Sequence, residues 1–125
     1  MKHLYLTFIF AALMQTISFS QSEDALDSIS QQIRKEYQSG EYLAAHKNAD
    51  LLLSSSNNNV KATGYFLQNL IFEKEHNYVE SVQSSYNALT LFETLKDTIM
   101  ISRTYNSIAV VYYDVRDRRR SMTYI

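Results

Sequence analysis

The sequence predicts an all-α protein, and three observations carry that expectation. It contains no proline and only two glycines, Gly40 and Gly64, so little interrupts a helical backbone. Apolar residues recur at steps of three and four, the spacing that lines one face of a helix. The breakers are few and well separated: Gly40, the polar run Ser54–Asn59, and Asp97-Thr98.

Between those breakers the helices follow in order. Leu26, Ile29, Ile33 and Tyr37 line one face of a first helix over residues 23–38. Ser22 can cap it, Glu23 and Asp24 suit the positive end of its dipole, and Gly40 ends it. Tyr42, Ala45, Ala49 and Leu52 stripe a second helix, and a third runs from the polar break to about Glu75. A fourth carries Val79, Val82, Tyr86 and Leu89 on one face and ends at Asp97-Thr98. A fifth contains the apolar stretch Tyr105–Asp117, and the tail from Arg118 to Ile125 is read as the start of a sixth.

Ahead of these helices, residues 1–20 have the organisation of a signal peptide. A short basic start, Met1-Lys2-His3, precedes an apolar run of about sixteen residues, Leu4 to Phe19. Ser18 and Ser20 are small residues two apart, which places the cut between Ser20 and Gln21. The alternative is an uncleaved anchor, but the run is shorter than the roughly 20 residues that cross a bilayer. No cysteine follows, which excludes a lipid-modified cysteine anchor, disulfides and thiolate metal sites. Residues 21–125 keep eleven basic and thirteen acidic side chains, a formal charge of −2, so no global attraction to nucleic acid is expected.

The helices alternate in a repeating order. "SGEYLAAHKNADLLL" from Ser39 matches "EHNYVESVQSSYNAL" from Glu75 at a shift of 36, placing Tyr42 on Tyr78, Ala45 on Ser81 and Ala49 on Ser85. "VRDRRRSMTYI" from Val115 continues the series at a shift of 40, with Asp117 on Asn77 and Ser121 on Ser81. Upstream, "GYFLQNLIFEKEHNY" from Gly64 matches "TYNSIAVVYYDVRDR" from Thr104, with Tyr65 on Tyr105 and Phe72 on Tyr112. A period in the high thirties made of two helices marks a helical solenoid.

On those residues the chain resembles the tetratricopeptide repeat family, whose unit is helix A, a turn and helix B. The family pattern of a large aromatic, a small residue, late aromatics, a turn and a small residue is met by Tyr105, Ala109, Tyr112-Tyr113, Arg116-Asp117 and Ser121. The earlier turns are Gly40-Glu41-Tyr42 and His76-Asn77-Tyr78, each followed by a small residue, Ala45 or Ser81. The chain departs from the pattern in lacking the proline between repeats, in Arg118 at the turn tyrosine, and in Asn69 where Gly or Ala is usual. The resemblance implies about two and a half repeats over residues 21–125, incomplete at the C-terminus. Each unit buries its apolar faces against the next. The helix with Tyr105, Ile108, Val111 and Tyr112 is therefore expected to pack on the fourth helix and to want a helix on its other side. Since the series breaks off at Ile125, the expectation is an N-terminal piece of a longer protein; the alternative is a short protein that dimerises or frays there.

Chemistry is sparse. His46 and His76 stand thirty residues apart with no cluster of ligands, and "EKEH", Glu73–His76, lacks the second histidine of a zinc protease helix. There is no glycine-rich phosphate loop and no nucleophile turn, so neither an active site, a metal nor a cofactor is expected. "RDRRR", Arg116–Arg120, reads as a solvated turn part-neutralised by Asp114 and Asp117, rather than as an anchor for phosphate or anionic lipid.

By the resemblance, the binding surface is the concave face, lined by helix A side chains: Phe66, Leu70 and Glu73, then Arg103, Asn106, Val110 and Tyr113. Leu70 and Val110 stand where relatives that clamp a C-terminal carboxylate carry polar groups, so an extended apolar-polar peptide or an intramolecular segment is the expected occupant. For each of these residues packing within the solenoid is the alternative role. A leader followed at once by such repeats is similar to the sensory ectodomains of bacterial signalling proteins, in which a membrane helix and a histidine kinase or DNA-binding domain follow. The implied function is protein–protein interaction outside the cytoplasm, with a membrane engaged only through a downstream segment or an uncleaved leader. A free periplasmic scaffold or envelope-assembly factor is the alternative.

Overall fold

The computed structural model describes residues 23–123, which form five α-helices and no strand among them. The leader expected over residues 1–20, its expected cut site and the expected Ser22 cap lie outside the described residues. The helices are α1 (23–38), α2 (Tyr42–Leu53), α3 (Asn58–Lys74), α4 (Tyr78–Thr94) and α5 (Thr98–Thr123). The all-α expectation holds. Links of three or four residues force successive helices to run antiparallel.

Three of the four links are built alike. After α1, the Gly40 N–H donates to Tyr37 O (3.3 Å) and the Glu41 N–H to Glu36 O (2.8 Å). After α3, His76 donates to Glu73 O (3.0 Å) and Asn77 to Phe72 O (2.8 Å). After α4, Lys96 donates to Glu93 O (3.1 Å) and Asp97 to Phe92 O (3.0 Å). Each is a Schellman motif, which needs a left-handed residue just past the helix. Gly40 takes that conformation without strain at φ +81°, whereas His76 and Lys96 hold it at +63° and +55°. For a residue with a Cβ this costs roughly 1–2 kcal/mol, offset by docking of the helix that follows. The fourth link, at the polar run, is different. The Asn57 side chain accepts from the N–H groups of Asn59 (2.9 Å) and Val60 (3.2 Å) and caps α3. At α5 the Asp97 carboxylate accepts from the Met100 N–H (3.1 Å).

Packing is sequential. α3 lies against α2 on one side and α4 on the other, α4 lies against α5, and α3 also touches α5. Two apolar clusters result. Ile33 and Tyr37 of α1, Ala45, Ala49 and Leu52 of α2, and Leu67 and Ile71 of α3 form the first. Ala62 and Phe66 of α3 with Ala88 and Phe92 of α4 form the second, and Leu70 borders both. The stripes read for α1 and α2 therefore face the core, with Leu26, Ile29 and Tyr42 packed at its edge. α2 approaches α3 so closely that a Cβ on Gly64 would lie 2.9 Å from the Cβ of Leu52 and 3.3 Å from the backbone nitrogen of Leu53.

Two readings need correction. On α4, Val79 is 77% exposed and Tyr86 49% exposed, whereas the buried face is Ser81, Ser84, Ser85, Ala88, Leu89 and Phe92. Small hydroxyl side chains lie inward because they let α4 come close to α3 while returning their protons to protein acceptors. The Ser85 Oγ donates to Ser81 O and the Ser84 Oγ to Gln68 Oε1, both at 3.0 Å. The second correction concerns the end of the chain. α5 runs unbroken through Arg116-Asp117, so the expected third turn and sixth helix do not form, and a lone α5 follows the two hairpins. A turn there would put Arg116 in the left-handed region and give up helical hydrogen bonds. The exposed Arg118, Arg119 and Arg120 that follow bring no apolar surface to offset that loss. The Arg118 guanidinium instead lies over the Tyr78 ring, 5.8 Å from its centroid, and ties the extended end of α5 to the start of α4.

Candidate functional cleft

Helices that are second neighbours in the chain run parallel, so α3 and α5 present their residues in the same order. Asn69 bonds to Ser107, and four residues further along Glu73 feels the charge of Asp114. The trough over this helix layer is an open cleft of about 280 Å³, which α1 enters from the side through Arg34. Six of the seven residues placed on the concave face line it: Phe66, Leu70 and Glu73 from α3, and Arg103, Asn106 and Val110 from α5. Tyr113, the seventh, is 69% exposed and lies outside the lining.

Arg34 and Ser107 also line the cleft and were missed from the sequence. Arg34 precedes Leu70 by 36 residues, the shift that relates the two hairpins, so the repeat register held the signal. Nothing in the sequence distinguishes Ser107 from the other serines.

Beneath the cleft is a buried polar knot. Asn69 and Ser81 are fully buried and Ser107 nearly so. The Asn69 amide nitrogen donates to Ser107 Oγ (2.9 Å) and to Phe66 O (3.2 Å), and Ser107 Oγ donates back to Asn69 Oδ1 (3.0 Å). Ser81 Oγ lies 3.0 Å from both the carbonyl oxygen and the Oδ1 of Asn69. One asparagine thus joins α3, α4 and α5, which explains its place at a position where the resemblance expected Gly or Ala. Among the described residues every buried side-chain nitrogen and oxygen has a partner.

The cleft carries charge of both signs. Arg34 and Arg103 are exposed, and neither lies within 4.0 Å of a carboxylate among the described residues. Burial pushes the Glu73 carboxyl above its ordinary value of 4.5, Asp114 pushes it further, and Lys74 and His76 partly oppose this. Folding therefore holds the proton on Glu73 more tightly than the unfolded chain does. The folded state bears no penalty well below pH 4.5, where both forms are protonated, and loses stability as pH rises through the folded value. Glu73→Gln should consequently raise the melting temperature at neutral pH and leave it nearly unchanged near about pH 3. Paired thermal melts at the two pH values measure this; an equal effect at both would remove the electrostatic account.

Elsewhere, His46 pairs with Glu75 and meets the Phe72 ring at a tilt, 4.7 Å between ring centroids, fastening α2 to the end of α3. A second cleft, of about 290 Å³, lies between α4 and α5 and is apolar, with Val79, Val82, Val111, Tyr112 and Val115 in its walls. No group of three or more metal-ligating side chains occurs among the described residues, and no described helix is long and apolar enough to cross a membrane. Comparison of the chain with family models, with curated proteins and with solved structures returned no match.

Proposed function

We propose that this chain is an exported protein-interaction scaffold of the tetratricopeptide type, and that the cleft across α1, α3 and α5 is its docking surface for a peptide segment of a partner. The observation that carries this reading is the gathering of Phe66, Leu70 and Val110 in one open trough beside Arg34 and Arg103, which pair with no carboxylate among the described residues. Further support comes from the two hairpins, whose inner turns repeat the same pair of backbone bonds 36 residues apart. The small residues Ala45, Ala49, Ser81 and Ser85 lie on the inward faces of the second helices, as close stacking of such units requires.

Selection of random dodecamer peptides on phage against the immobilised chain tests the docking surface. Enriched peptides should bind with dissociation constants near about 10–100 μM, and Val110→Arg should weaken them at least tenfold without changing the circular dichroism. Enriched peptides indifferent to Val110→Arg, or no enrichment, would overturn the assignment.

Export rests on the leader-like residues 1–20. Fused ahead of an alkaline phosphatase stripped of its own signal, they should give periplasmic activity and a shortened product; an inactive fusion retained in the cytoplasm would refute it. The further reading is that of a sensory ectodomain in a longer signalling protein, with a free periplasmic scaffold as the alternative. The DNA beyond the Ile125 codon separates them: a membrane span with a kinase or DNA-binding domain supports the first, a stop codon after capping helices the second.

A further inference from the structure

Along the cleft the charges are ordered, because α3 and α5 run parallel. On α5, Arg103 comes first, then Asn106 and Val110, with Asp114 one turn further; on α3, Phe66 and Leu70 precede Glu73. One end of the trough is thus cationic through Arg103. The other is anionic through Glu73, with Asp114 beside it. Phe66, Leu70 and Val110 form an apolar floor between them, and Arg34 adds a second guanidinium from the α1 side. The opposite charges do not neutralise each other: neither arginine reaches a carboxylate within 4.0 Å among the described residues. Glu73 and Asp114, being alike, repel. Lys74 and His76 offset the Glu73 and Asp114 charges only in part, since burial and Asp114 still push the Glu73 carboxyl upward.

We propose that the cleft selects an extended peptide segment carrying an acidic and a basic side chain on either side of an apolar one, the acid seated at Arg103 and the base at Glu73 and Asp114. This rests on the reading of the cleft as a peptide-docking surface. The spacing follows from geometry. From Arg103 to Asp114 the helix advances about 16 Å, and the long arginine side chain shortens the gap. A strand rises about 3.3 Å per residue and turns every second side chain to the same face. An acid and a base four residues apart span about 13 Å, with an apolar residue midway on the same face. Such a segment has polarity, so the cleft fixes the direction in which it lies.

Three fluorescein-labelled, end-capped pentapeptides test this against the full chain by fluorescence anisotropy: Glu-Thr-Leu-Thr-Lys, its reversal Lys-Thr-Leu-Thr-Glu, and neutral Gln-Thr-Leu-Thr-Gln. One of the two charged peptides should bind about fivefold or more tighter than both the other and the neutral one, with the gap closing at high salt. The double variant Arg103→Glu with Glu73→Arg should invert the preference between the charged pair. Should that variant misfold, Arg103→Gln and Glu73→Gln singly should each bring the preferred peptide to about the affinity of the neutral one. If all three peptides bind alike and Val110→Arg still weakens them, charge selection is overturned while peptide docking stands. If none binds saturably up to about 1 mM, both are overturned.

Discussion

Asn69→Ala should lower the melting temperature by roughly 10 °C. Asn69 is fully buried and supplies the bonds that join α3 to α5 through Ser107. Alanine leaves the Ser107 hydroxyl buried without those partners, a loss of about 1–3 kcal/mol, and each kcal/mol moves the midpoint of a domain this size by about 4–8 °C. Ser81 loses less, because its hydroxyl also reaches the Asn69 backbone oxygen at 3.0 Å, which alanine retains. The decisive measurement is the cycle with Ser107→Ala. Once the serine hydroxyl is gone, removing the asparagine side chain should cost less, with a coupling of about 0.5–3 kcal/mol. Additive effects would mean that the two side chains do not share a bond.

Gly64 gives the second large effect, and its sign is diagnostic. On an exposed helix Gly→Ala stabilises by about 1 kcal/mol. Here the new methyl would meet the Leu52 Cβ at 2.9 Å and the Leu53 nitrogen at 3.3 Å, neither of which is the free end of a flexible side chain. Overpacking of this kind costs about 1–3 kcal/mol, so Gly64→Ala should destabilise on balance and Gly64→Val more strongly. Chemical denaturation of the three proteins decides it. A more stable alanine variant would show that α2 and α3 do not approach this closely.

How much of this was legible depends on what each residue signals by itself. Ile33, Tyr37, Ala45, Ala49 and Leu52 announced their faces because they are apolar or small at helical spacing, and all five are buried. Gly40 announced its turn because only glycine enters the left-handed region freely. The turns at His76 and Lys96 carry no such intrinsic preference and are set by the helices docked after them. On α4 the valine and tyrosine pattern pointed outward, since close approach to α3 selects serine over bulk and hydropathy does not register that choice. Arg116-Asp117 resembled a turn by register, yet a turn is made by what packs beyond it. At the cleft, Phe66, Leu70, Glu73, Arg103, Asn106 and Val110 were expected from the resemblance alone, while the Asn69 knot needed three helices in contact before it existed.

α3 belongs to both apolar clusters, with Leu67 and Ile71 on one side and Ala62 and Phe66 on the other. No division of the described residues leaves either half with a complete interior. Melting should therefore be cooperative across both hairpins, and amino-acid replacements should be tolerated least along this one segment.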